Sequence, residues 1–225
     1  MSTKFTFLLG ILFPVFLLGQ IDQTLPDETS VLTFRTKSID YSDVKANGSP
    51  FLDEEYKAGE VIINGKVTLR GKLRYNAHRS EVEVLEKDDT SFSLLKRSYI
   101  SAKIGSKAFK IFTYKEGDLE RTAYFNPLNE GETVLLFKPE VKLKSARIPS
   151  TNYDRYSPPT YIEISSYYLK KGKDSAEKIR LKKKDILALL SDKSAALKSF
   201  ISEQNLKLKQ EEDMIKLVDH YNSLL

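Results

Sequence analysis

The sequence predicts a mainly β protein with an α tail: an antiparallel β meander rolled into a sandwich or a partly open barrel, followed by about three short C-terminal helices. Three observations predict it. Turn signals recur at Asn64-Gly65, 76–79, Lys87-Asp88-Asp89, Gly105-Ser106, Glu116-Gly117-Asp118 and Asn129-Glu130-Gly131, in steps of 12, 12, 17, 12 and 13 residues, the rhythm of short strands joined by tight turns. Between the turns apolar and polar residues alternate, the period of a strand with one buried face. No helix-length apolar pattern follows a turn until after residue 181, which disfavours parallel βαβ units and their crossover helices.

Taken in order, residues 1–19 read as a signal peptide. Lys4 supplies a basic start, and 5–18 is a 14-residue apolar run interrupted only by Thr6, Gly10 and Pro14. That is the length of a secretory h-region and short of the ~20 residues a membrane-spanning helix needs. Gly19 is a small residue at the expected cut. Residues 20–181 are assigned to an antiparallel β domain and 182–225 to a helical C-terminal cap. The stretch 22–30 reads as irregular and 31–36 as an edge strand. Asn64-Gly65 is a two-residue hairpin signal, because both positions tolerate positive φ. In 66–75, Val67, Leu69, Gly71, Leu73 and Tyr75 share one face, and Lys66, Thr68, Arg70, Lys72 and Arg74 share the other. Pairing Arg74 with Glu81, Lys72 with Glu83 and Leu73 with Val82 satisfies both faces of the next strand. Further strands are expected near 92–104, 107–115, 119–126, 132–138, 140–148 and 161–170, with Pro139 at a junction and Pro158-Pro159 in a loop. Helical spacing then relates Ile186, Leu189 and Leu190, and Leu197, Phe200 and Ile201, with Asp192 as an N-cap between them. Met214, Leu217, Val218, Tyr221 and Leu224 stripe a last helix, whose start carries Glu211, Glu212 and Asp213 against the positive end of its dipole.

Composition narrows the chemistry. The 225 residues contain no Cys, no Trp and two His, which excludes disulfides, thiol nucleophiles, Cys-ligated metals, a lipoprotein anchor and a three-His site. Of the 36 basic residues only Lys4 lies in the signal, so the remaining chain carries 35 against 31 acidic, about +4. No phosphate-binding glycine loop or Gly-x-Ser-x-Gly elbow occurs. His78 and His220 are 142 residues apart. The carboxylates of 53–55 and 211–213 are adjacent in sequence, not opposed as glycosidases require. No catalytic residue, metal ligand or cofactor is assigned.

Two stretches have the character of binding surfaces. Tyr153, Tyr156, Tyr161, Tyr167 and Tyr168 crowd around Pro158-Pro159, and aromatic faces on a rigid loop stack on planar ligands. Lys170, Lys171, Lys173, Lys178, Arg180, Lys182, Lys183 and Lys184 form a basic run opposed only by Asp174 and Glu177, as on surfaces that meet phosphate-rich partners. The competing reading of each is an aromatic-rich strand pair and a solvated hairpin with its linker. The expected partner is an envelope protein or an anionic surface. A small apolar ligand is the alternative, with the protein a carrier whose β-barrel cavity is lined by Phe109, Ile111, Phe125 and Leu135. Nucleic acid is disfavoured, since half of the 66–74 basic stripe faces acidic residues. A carboxylate-dependent hydrolase ranks third, and a transmembrane barrel fourth.

Several segments also carry a family likeness. Gly48-Ser49-Pro50-Phe51-Leu52 with Glu55-Tyr56 and Gly59, and Leu73-Arg74-Tyr75-Asn76 with Glu81-Val82-Glu83, resemble a family of secreted proteins common in Bacteroidota. So do Tyr168-Leu169-Lys170-Lys171-Gly172, Lys184-Asp185-Ile186-Leu187, Glu211-Glu212-Asp213-Met214-Ile215-Lys216-Leu217 and Tyr221-Asn222. The resemblance covers about 41 to 224 and is poorest over 127–157. It implies an envelope or secreted setting in a Gram-negative cell and transfers no activity and no catalytic residue. Under it, Asp174-Ser175-Ala176 is similar to a short O-glycan acceptor pattern of exported proteins in that group.

Overall fold

The structure, a computed structural model, describes residues 35–37, 45–149 and 155–225. The expected signal peptide, the stretch 22–30 and Tyr153 lie outside the described residues.

The alternating segments become thirteen strands. They are β1 (Arg35–Lys37), β2 (Lys57–Ile63), β3 (Lys66–Asn76), β4 (Glu81–Leu85), β5 (Ser91–Leu94), β6 (Ile100–Ile104), β7 (Lys107–Glu116), β8 (Leu119–Pro127), β9 (Thr133–Lys138), β10 (Val141–Lys144), β11 (Thr160–Glu163), β12 (Ser166–Lys171) and β13 (Glu177–Ile179). Eleven form one antiparallel sheet in the order β1-β5-β4-β3-β2-β6-β7-β8-β9-β12-β13, and β10 and β11 form a separate ribbon. Asn64 and Gly65, at φ 50° and 77°, make the tight β2–β3 turn, the backbone twist that two-residue hairpins favour.

Among the described residues the large sheet ends at β1 on one side and β13 on the other and does not close into a barrel. It does fold over itself. Tyr124 of β8 donates from its hydroxyl to the Leu95 carbonyl beyond β5 at 3.4 Å, although six strand spacings of about 4.8 Å would separate β5 and β8 in a flat sheet. Tyr75 of β3 stacks on Phe109 of β7 with ring centroids 4.6 Å apart. One sheet face thus closes on itself around Val61, Leu73, Val82, Val84, Phe92, Ile100, Phe109 and Tyr124. The opposite face of β7, β8, β9 and β12 holds a second core of Tyr114, Ala123, Phe125, Leu136 and Tyr168. Ala176 reaches across it to bridge β7 through two backbone hydrogen bonds.

Helices cover what remains of the first face. α1 (Lys183–Leu189), a 3₁₀ turn (Ser191–Lys193), α2 (Ser194–Glu203) and α3 (Glu211–Ser223) follow the strands. Their stripes, Ile186 and Leu190, Leu197 and Ile201, and Met214, Leu217, Val218 and Tyr221, pack with Leu135, Leu169 and Ile179 in a third core. Polar groups fix this joint. Asn222 of α3 accepts from the Thr133 amide at 2.9 Å and donates to the Thr133 and Glu130 carbonyls at 2.8 and 3.2 Å. Its side chain thereby pairs with β9 as a strand edge would. A Cβ on Gly131, whose φ is +128°, would fall 2.8 Å from the Asn222 Cγ, so only glycine leaves room for that clasp.

Four details depart from the sequence reading. The segment 92–104 is two strands, because Lys96, Arg97 and Ser98 interrupt the apolar positions. After the turn at 95–99, β6 returns to pair with β2, so one meander becomes two. The segment 161–170 is likewise divided between β11 and β12. The β3–β4 register is displaced by two residues: Arg74 faces Glu83, and Leu73 faces Val84. A two-residue slip preserves every face, and this one lets Asn76 remain in the strand. Finally, Asp192 caps no helix. Lys193 holds the cap position of α2 without a side-chain bond, and the Asp192 carboxylate accepts from Tyr221 at 2.9 Å and Lys171 at 3.3 Å.

Candidate functional site

An open groove of about 680 Å³ lies between the strand-to-helix linker and the α2–α3 connection. Its floor is apolar: Leu181, Ile201, Leu206 and Leu208. Ile201 and Leu208 are 93% buried or better in the third core, each 7% exposed, and Leu181 and Leu206 are half-buried. Lys182, Lys183, Lys207, Lys209 and Gln210 also line it, all five exposed.

Local chemistry builds both walls. α2 ends in a Schellman motif, with Asn205 at φ 51° and the Leu206 amide donating back to the Ile201 carbonyl at 3.0 Å. The chain then runs Leu206-Lys207-Leu208-Lys209, and alternation turns the leucines inward and the lysines outward. The Lys207 amide donates to Asp213 at 2.8 Å, and the Gln210 amide to the Lys207 carbonyl at 2.8 Å. Across the groove, the Lys182 carbonyl accepts the Asp185 and Ile186 amides at the start of α1. Asp185 in turn binds Arg180 at 2.7 Å. Both walls are therefore fixed before any ligand arrives.

The charges are one-sided. The acids of the flanking elements bond other groups, Asp185 with Arg180, Asp213 with Lys216 and the Lys207 amide, and Glu211 with the Tyr167 hydroxyl at 2.8 Å, although the Lys182 and Lys207 charges also act on Asp185 and Asp213. The Lys207 amide, followed by Lys216, holds the Asp213 carboxyl below its ordinary range. The Arg180 guanidinium does the same for Asp185. Among the described residues none of the four rim lysines forms an ion pair.

Of the basic run, the structure brings only Lys182 and Lys183 to this groove. Lys170 donates to the Gly172 carbonyl. Lys171 binds Asp192 and the Leu189 carbonyl and lies over the Tyr221 ring. Lys173 and Lys184 are exposed outside it. The tyrosines do not form one surface. Tyr156 is 60% exposed, Tyr161 packs edge-on against His78, Tyr167 lies under α3 bonded to Glu211, and Tyr168 is buried beside Tyr114 and Phe125. Lys207, Lys209, Leu206 and Leu208 are not among the residues singled out from the sequence, which assigns no role to the stretch between the last two helices. The alternation in 206–209 was the available signal.

The other sequence candidates have structural occupations. His78 pairs through Nδ1 with the Val141 carbonyl at 3.1 Å, and His220 stacks on Phe200 at 3.8 Å. Phe109 and Ile111 belong to the first core, Phe125 to the second and Leu135 to the third, so these four do not line one cavity. Ser175 donates to Glu120 at 2.5 Å in the turn before Ala176. Among the described residues no group of three or more His, Asp or Glu is placed to hold a metal, and no helix is long and apolar enough to cross a membrane. No protein-family model, curated protein or solved structure matches the chain.

Proposed function

We propose that the protein is a non-enzymatic, exported envelope protein of a Gram-negative cell that acts as a binding module for an anionic partner. The observation that carries this reading is the lysine-rimmed groove, a concave apolar surface whose four lysines form no ion pair among the described residues. The n-region, h-region and small-residue cut of 1–19 support export, and the likeness to secreted Bacteroidota proteins supports the setting. The structural occupations of His78 and His220 favour binding over hydrolysis. The groove volume also favours the small-ligand reading, relocated from a barrel interior to the outer surface of the helices.

The test is to express the full chain in a Gram-negative host, fractionate the cells and measure intact mass. The expected product lies in the envelope or periplasmic fraction and starts at Gln20 or Ile21. A cytoplasmic product that retains Met1 refutes the reading.

A further inference from the structure

We propose that the groove binds a free single-chain anionic amphiphile, a fatty carboxylate, with the acyl chain along Leu181, Ile201, Leu206 and Leu208 and the headgroup among the rim lysines. This rests on the binding-module reading and specifies its ligand. Three observations carry it.

The first is size and polarity. A groove of about 680 Å³ with a leucine and isoleucine floor falls within the ~300–1,000 Å³ of small-molecule sites, and Gln210 is the one uncharged polar side chain among its described lining residues, too few hydrogen-bonding groups to read a sugar or nucleobase. The second is charge complementarity. Lys182 and Lys183 approach from one wall and Lys207 and Lys209 from the other, and none is paired among the described residues. Four like charges around one opening repel each other, and an anionic headgroup relieves that repulsion. Lysine suits this task because its long apolar stem extends the floor while its ammonium stays in water. The third is preorganisation. The Schellman motif at Asn205 and the bond from the Lys207 amide to Asp213 fix the wall that carries two of the lysines, so little ordering opposes binding.

The experiment uses the processed chain recovered from the envelope fraction and stripped of lipid on a hydrophobic resin. Its probe is the fluorescent fatty acid cis-parinarate, with oleate and oleylamine as competitors of equal chain length and opposite charge. Saturable binding is expected at one probe per chain, displaced by oleate and weakened by salt. Oleylamine displaces poorly. The variant K182E/K183E/K207E/K209E is expected to lose at least about tenfold in affinity, ~1.4 kcal/mol, and to prefer oleylamine. The corresponding all-arginine variant retains binding. All four side chains are exposed, so both variants should fold, and a circular-dichroism spectrum of each checks this before binding is compared. Leu206→Gln tests the floor and is expected to weaken oleate without changing the preference for its charge.

Equal displacement by oleylamine overturns the proposal, as does indifference to charge reversal. Sedimentation with phosphatidylglycerol vesicles without displacement by oleate also overturns it and makes a bilayer surface the occupant. In each of these cases a processed chain in the envelope leaves the binding-module reading standing, which only a cytoplasmic chain with Met1 refutes.

Discussion

Replacing Asn222 by alanine probes the joint on which the helical layer depends. The side chain makes three hydrogen bonds to the turn and first residue of β9. The Thr133 carbonyl and the Glu130 carbonyl each keep a second donor, Asn129, at 3.2 Å. Among the described residues the Thr133 amide has no such reserve at this site, and Thr133 is only 1% exposed. Stranding one buried amide costs ~1–3 kcal/mol, so the expected loss is about 2 kcal/mol. Urea denaturation followed by far-UV circular dichroism reads it as a midpoint lowered by roughly 1 M, taking a slope of ~2 kcal/mol/M. Asn222→Asp should cost at least as much, because it keeps the acceptor but turns an oxygen towards two carbonyls. Gly131→Ala adds a methyl where Asn222 sits, and part of its cost is displacement of that side chain. The double variant Gly131→Ala/Asn222→Ala should therefore cost less than the two singles added together, by ~0.5 kcal/mol or more. Strict additivity, or an Asn222→Ala loss below ~0.5 kcal/mol, would refute the clasp.

Two further predictions concern charge. Glu83, 2% exposed, binds the Arg74 guanidinium at 2.9 Å, and Arg74 lies over the Phe51 and Tyr56 rings. Glu83→Gln leaves that cation without its carboxylate and should cost ~3 kcal/mol, the low end for breaking a buried pair because Arg74 reaches solvent. The double variant Arg74→Met/Glu83→Gln, which keeps an acceptor for the buried Asn76 amide that bonds Glu83 at 3.0 Å, should recover most of the loss in thermal melts, and equal damage in both would sink this account. The second concerns acid. Asp185 and Asp213 have lowered pKa values for the reasons given above. At Asp192 burial pushes upward, but hydrogen bonds from Tyr221 and Lys171 outweigh it, and the carboxyl is also held below 3.8. Lowered native values mean stability that is present above the unfolded carboxylate pKa and lost as pH falls below about 4 through the native values. Denaturant midpoints between pH 5 and 2 should fall, and the triple Asp→Asn variant should flatten that slope. An unchanged slope contradicts the assignment.

The strands and turns were legible because their causes are local. Asn64-Gly65 dictates a hairpin from two residues, and the alternation of 66–75 places Leu73 and Tyr75 inward whatever lies opposite. The stripe Met214, Leu217, Val218 and Tyr221 likewise marks its buried face unaided. Long-range choices were not legible. Nothing near Ile100 says that β6 pairs with β2 rather than β5, and the two-residue shift between β3 and β4 satisfies the same pattern as the register inferred from sequence. The site divided in the same way. Lys182 and Lys183 stood out as members of a basic run, whereas Lys207 and Lys209 join them only because the α2–α3 connection folds back beside the linker.

The return of β6 to β2 has a consequence in time. Strands β2 to β5 are complete hairpins once Leu94 has been made, but their apolar face meets Phe109 and Tyr124 only when β7 and β8 follow. During vectorial synthesis that face waits uncovered for some thirty residues. Folding should accordingly be paced by this distant closure, as in other β topologies of high contact order, and the half-made chain is the form most in need of a chaperone.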